Sequence, residues 1–135
     1  LDEQDSKLKK IDDNGKVLSE TVDFRLLFDS VPDPEKIIDS DGFVYLYDSQ
    51  KGIYIFDYYG SFKSRLPFLN WTGMEVIGKI IYGFGQQHLY KYVPPIPDLI
   101  TIPLPSELQN NSSIRLHNHK LYGLKDNRLT IYSLQ

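Results

Sequence analysis

This sequence predicts an all-β fold: about three four-stranded antiparallel blades of a β-propeller. Three observations carry that reading. A pattern of apolar run, polar turn and apolar run is written four times along the 135 residues. Tyr45, Tyr82 and Tyr122 mark equivalent places in it, 37 and then 40 residues apart. A period near 40 that holds four short strands has the size of one propeller blade. Units this small cannot hide their apolar faces alone, so recurrence implies that they stack.

The elements follow from period-two alternation and from β-branched or aromatic content. The first copy supplies two strands, Lys7 to Ile11 and Lys16 to Glu20, around the turn Asp12-Asp-Asn-Gly15. It is aligned through Leu8-Lys-Lys-Ile11-Asp-Asp-Asn-Gly15-Lys-Val17 with Ile53-Tyr-Ile-Phe56-Asp-Tyr-Tyr-Gly60-Ser-Phe62. An insertion falls within Phe28-Asp-Ser-Val-Pro-Asp-Pro34. The second copy reads as Lys36 to Asp39, Phe43 to Asp48, Ile53 to Asp57 and Ser61 to Leu66. The third gives Glu75 to Ile77, Ile80 to Phe84, His88 to Tyr92 and Leu99 to Leu104. The fourth gives Ile114 to Leu116, Lys120 to Leu124 and Arg128 to Tyr132. Asp41-Gly42 and Lys125-Asp-Asn-Arg128 carry residues that tolerate positive φ, as tight hairpins require. Helical spacing is confined to Pro105-Ser-Glu-Leu-Gln-Asn110, one turn that Ser106 could cap. The whole, residues 1–135, is taken as one partial propeller domain with repeats near 6–22, 36–68, 74–105 and 113–133.

A frame cut in mid-repeat leaves apolar blade faces and strand edges to be covered. The expectation is a piece of a longer chain, which a first residue Leu1 favours, or a half-ring that a homodimer completes. The outer strand that the last blade lacks could come from Lys16 to Glu20, in its own chain or its mate's.

Composition bounds the partners. With 18 acidic and 15 basic residues the net charge is −3, a poor match for nucleic acid, whose binding rests on many Lys and Arg contacts. Lys7, Lys9 and Lys10 are read as a solvated strand face. Without cysteine there is no disulfide, thiolate metal site or cysteine nucleophile. No apolar run approaches the ~18 residues of a membrane span. Nothing in the residues calls for a cofactor. Ten Tyr and seven Phe suit strands and inter-sheet packing, and leave room for a tyrosine-lined binding surface.

The copies Gly42-Phe-Val-Tyr-Leu-Tyr-Asp-Ser-Gln-Lys-Gly-Ile-Tyr-Ile-Phe-Asp-Tyr-Tyr-Gly60 and Lys7-Leu-Lys-Lys-Ile-Asp-Asp-Asn-Gly-Lys-Val17 resemble NHL-like six-bladed propellers. The likeness is to uncharacterised exported propeller proteins of Bacteroidetes. It implies a propeller of the periplasm or envelope and brings no family activity and no functional residues. WD-repeat and kelch signatures are missing.

Several residues invite a chemical reading. His117-Asn118-His119 could offer two imidazoles to a metal, but it aligns with Ser40-Asp41-Gly42 and reads as a turn. Asp39-Ser-Asp41-Gly42 opens like a calcium loop, yet the sixth and twelfth places hold Val44 and Gln50 where glycine and glutamate are needed. Trp71, with Asn70 and Thr72, precedes an innermost strand and either borders a channel or plugs a gap between blades. Glu75 and Arg115 occupy comparable places in successive inner strands and could face the same channel. Tyr58 and Tyr59 stand in a turn that elsewhere reads Asp13-Asn14. Aromatic residues in such a turn mark a contact for protein or glycan, or pack on the next blade. Pro94-Pro-Ile-Pro97 reads as a stiff loop, and Asn70-Trp-Thr72 and Asn110-Asn-Ser112 match glycosylation sequons. The functional expectation is a non-catalytic binding or scaffold module. Its rival is a metal-assisted hydrolase or lactonase with calcium in a channel, for which only Glu75 and Asn70 are candidate ligands.

Overall fold

A computed structural model describes residues 1–110 and 113–134. The chain is all-β, with thirteen strands among the described residues arranged in four antiparallel sheets. Every sheet is a meander of sequence neighbours, as a propeller blade is. The residues fall into two compact units, Leu1–Leu69 and those from Asn70 onward.

The first unit opens with a two-stranded ribbon, β1 (Lys9–Ile11) and β2 (Val17–Glu20). A single helical turn, α1 (Phe24–Leu27), follows. Then comes the four-stranded meander β3 (Lys36–Ser40), β4 (Phe43–Asp48), β5 (Gly52–Asp57) and β6 (Phe62–Leu66). The ribbon repeats β5–β6 in detail. Both pairs carry a register shift at the same aligned place, with Ile11 opposite Val17 and Phe56 opposite Phe62. Both turns are built by one aspartate: Asp12 Oδ1 accepts from the backbone N–H of Asn14 and Lys16, and Asp57 Oδ1 from those of Tyr59 and Ser61, each at 2.9 Å. Each closes on a glycine at positive φ, Gly15 at 82° and Gly60 at 88°.

Aromatic rings fill the core of this unit. Fully buried Phe24 stacks on Phe56 at 5.4 Å, and Phe28 meets Tyr54 edge-on at 4.8 Å. Leu46 and Val44 complete the cluster, with Leu8 reaching in from beside the ribbon. Helix α1 was not expected from the sequence. Four residues are too few to show a 3.6-residue period, and its signal is local: Asp23 Oδ1 accepts from Arg25 N at 2.9 Å.

The second unit holds β7 (Gly73–Ile77), β8 (Ile80–Phe84), β9 (His88–Tyr92) and β10 (Ile100–Pro103) in one sheet. A second, three-stranded sheet contains β11 (Ser113–His117), β12 (Lys120–Lys125) and β13 (Arg128–Ser133). Tyr82, Phe84, Leu89, Leu104, Leu108, Leu116 and Leu121 form its core. The turn at Ser106–Leu108 is a 3-10 helix that delivers Leu108 to that core. Its N-cap is Pro105 with no side-chain cap bond, so Ser106 lies inside the turn and does not cap it.

Most strand limits agree with the expected ones to within one residue. The ribbon is shorter, because Lys7 forms only an isolated bridge to Asp2. In the first unit β2 pairs with β1, and in the second β13 pairs with β12. Asn118 and His119 both have positive φ, 48° and 59°, and make the β11–β12 turn that the alignment predicts. The sequon Asn110-Asn-Ser112 runs outside the described residues.

Candidate functional site

A groove of about 220 Å³ opens in the first unit between the ribbon and the β3–β6 sheet. Its apolar lining comes from Leu8, Ile37 and Val44; Lys10, Ser19, Asp39 and Tyr58 supply polar atoms. Local sequence explains this layout. Lys10 and Ser19 are cross-strand partners on the β1–β2 ribbon, so their side chains leave the same face. Ser19 Oγ donates to the carbonyl of Tyr58 at 3.2 Å, and the Lys10 ammonium lies 4.9 Å from the centre of the Tyr58 ring. Tyr58 follows β5 and reaches across β4 to β3, where its hydroxyl donates to Asp39 Oδ1. The ring thus carries a cation over its face and a carboxylate at its tip. That hydrogen bond to Asp39 raises the Tyr58 phenol above its ordinary pKa.

The turn that presents Tyr58 is fixed from several sides. The backbone N–H of Ser61 is the largest influence holding the Asp57 carboxyl below its ordinary range, with Lys63 adding an ion pair at 3.3 Å. Gly60 is pressed on the end of β2: a Cβ there would lie 2.5 Å from the carbonyl oxygen of Glu20. Tyr59, held in that turn, is 86% exposed, against 37% for Tyr58.

The other lysines of the basic trio are already matched. Lys7 pairs with Glu20 at 2.9 Å, and Lys9 binds Asp2 at 2.8 Å and Asp5 as well. Those two carboxylates push the Lys9 ammonium above its usual range. Lys10 forms none of the ion pairs found among the described residues.

Glu75, Arg115 and Trp71 all lie in the second unit. Glu75 on β7 stands opposite Tyr82, and Arg115 on β11 opposite Tyr122, so the repeat does place them equivalently. They meet each other. Glu75 Oε2 accepts from Leu116 N at 3.1 Å, and Oε1 lies 3.8 Å from Arg115 Nη1. This carboxylate ties the first strands of two sheets together. Trp71 is 7% exposed and stacks on Tyr90 at 5.8 Å with planes 9° apart. It also lies flat on Gly83, where a Cβ would come within 2.2 Å of the indole.

The structure therefore sets Tyr58 in the groove wall and leaves Tyr59, its neighbour in the turn, outside that lining; it brings Glu75 and Arg115 to one ion pair and Trp71 into a packed stack. Sequence reasoning missed Lys10 and Asp39 as members of a site. One signal was present: the alignment sets Lys10 where the second copy has Ile55, a charge at an apolar place in the repeat. Among the described residues no three His, Asp or Glu side chains gather closely enough to hold a metal ion. No helix among them is long and apolar enough to cross a membrane. No protein-family model, curated protein or solved structure matches the chain.

Proposed function

We propose that this chain is a non-catalytic binding module of an NHL-like propeller of the bacterial envelope, and that its ligand or partner docks at Tyr58 and Tyr59. One observation carries the reading: Tyr59 projects into solvent at 86% exposure from an aspartate-built turn, beside a preformed groove. Binding sites are concave, largely apolar and edged by a few placed polar groups, and this groove has those traits. The other acidic candidate, Glu75, is occupied in joining strands. The blade-like meanders and the repeated turn support a propeller; the NHL-like identity and export to the envelope rest on the resemblance of the repeats alone.

Pairing of copies belongs to the same reading. Leu129 and Ile131 on β13 are 60% and 54% exposed, whereas Ile53 and Leu89, at the place of Leu129 in the earlier copies, are fully buried. A second copy would cover them.

The test is a binding screen of the labelled chain on immobilised protein and glycan panels, repeated with Tyr59→Ser. The variant is expected to lose at least about tenfold in affinity while its thermal midpoint stays unchanged, since exposed positions shift stability by no more than about 0.5 kcal/mol. Equal binding by variant and wild type would defeat the proposal.

A further inference from the structure

We infer that the groove between the ribbon and the β3–β6 sheet takes a neutral pyranose sugar, with Lys10 and Asp39 gripping neighbouring hydroxyls. The inference rests on the binding-module reading and names the ligand class.

Size comes first. At about 220 Å³ the groove is below the 300–1,000 Å³ of pockets for drug-sized molecules and suits a single ring with its substituents. Chemistry comes second. A pyranose has C–H faces that seek apolar and aromatic surface, and hydroxyls that each donate and accept. Leu8, Ile37 and Val44 provide the aliphatic lining. Lys10 can only donate and ionised Asp39 can only accept, and both are held by the one ring of Tyr58. A vicinal pair of hydroxyls satisfies both at once, because one accepts from the ammonium while the other donates to the carboxylate. Tyr58 has spent its proton on one oxygen of Asp39, so the other oxygen remains for a ligand. Charge comes third. Lys9 and Lys10 line the groove together with Glu20, Asp39 and Asp57, and the chain carries −3 overall. An anion would be repelled by the acids and a cation would compete with Lys10. A neutral polyol is the ligand that both signs favour.

The experiment uses the whole chain against neutral gluco-, manno- and galacto-oligosaccharides, first on an array and then by titration calorimetry. Lys10→Met and Asp39→Asn remove one charge each, and the asparagine can still accept from Tyr58. Each is expected to weaken the sugar about tenfold, the loss of one hydrogen bond to a charged group. Affinity should hold between about 0.05 and 0.5 M salt, because a neutral ligand has no charge to screen. Sugar binding that ignores both substitutions, or that collapses with salt, would overturn the inference. If no sugar binds but a protein binds in a Tyr59-dependent manner, the sugar inference falls and the binding-module reading stands. If neither a sugar nor a protein binds, both fall.

Discussion

Trp71 and Gly83 show how one missing side chain fixes another. The indole is buried on the flat patch that a glycine leaves on β8, and Tyr90 closes it from β9. A methyl at residue 83 would stand 2.2 Å from a ring that its stack prevents from sliding away. Gly83→Ala should therefore cost about 1–3 kcal/mol, the usual penalty for overpacking. Chemical denaturation, with the single tryptophan as reporter, should show an earlier midpoint and a changed emission maximum. An unchanged midpoint would mean that the ring moves freely. Trp71 was legible as a residue of interest, but its setting was not. Gly83 gives no sign in one dimension that an aromatic ring twelve residues earlier lies on it. Tyr58 and Tyr59 were more legible, because the first copy supplies Asp13-Asn14 as the polar standard against which they stand out. Lys10 and Asp39 depend on a meeting between the ribbon and a strand about thirty residues further on, and nothing local announces that.

At the scale of elements, the strands were read well because each alternates and ends on turn chemistry visible in sequence. Asp12 and Asp57 build matching turns, and Asp41, Asn118, His119, Asp126 and Asn127 take the positive φ that tight hairpins demand. Helix α1 lies at the other extreme, since its one turn exists to place Phe24 in the core. Its cap makes a test by acid. Arg25 bonds to the Asp23 side chain and holds its carboxyl at about 2, below the ordinary 3.8. A carboxyl that is more acidic when folded stabilises the fold above its unfolded pKa, and that contribution fades as pH falls through the folded value. The wild-type chain should thus lose its advantage over Asp23→Asn between pH 3.8 and about 2. The asparagine retains the cap and drops only the charge. Acid titrations followed by circular dichroism should show the two curves converging across that window. Parallel curves would mean that the Asp23–Arg25 pair contributes nothing to folding.

For the whole molecule, the fold class followed from the period near 40, because a repeat predicts its own packing partner: another copy of itself. That logic is also what singles out β13. Leu129, Ile131 and Tyr132 are between 44% and 60% exposed, on a sheet of three strands where both four-stranded sheets bury the aligned Ile53 and Leu89. A row of apolar side chains along a strand with no second partner among the described residues is a template for association. The chain should accordingly weigh more than its own 15.7 kDa in sedimentation equilibrium at tens of micromolar, moving toward twice that mass as concentration rises. Replacing Leu129 and Ile131 together by lysine puts like charges on both edges that would meet, and should return the mass to that of one chain. If the unaltered chain holds the single-chain mass at every concentration, copies do not cover this strand. If the double variant still associates, they meet through some other surface. Only a concentration-dependent mass that these two lysines abolish assigns the contact to β13.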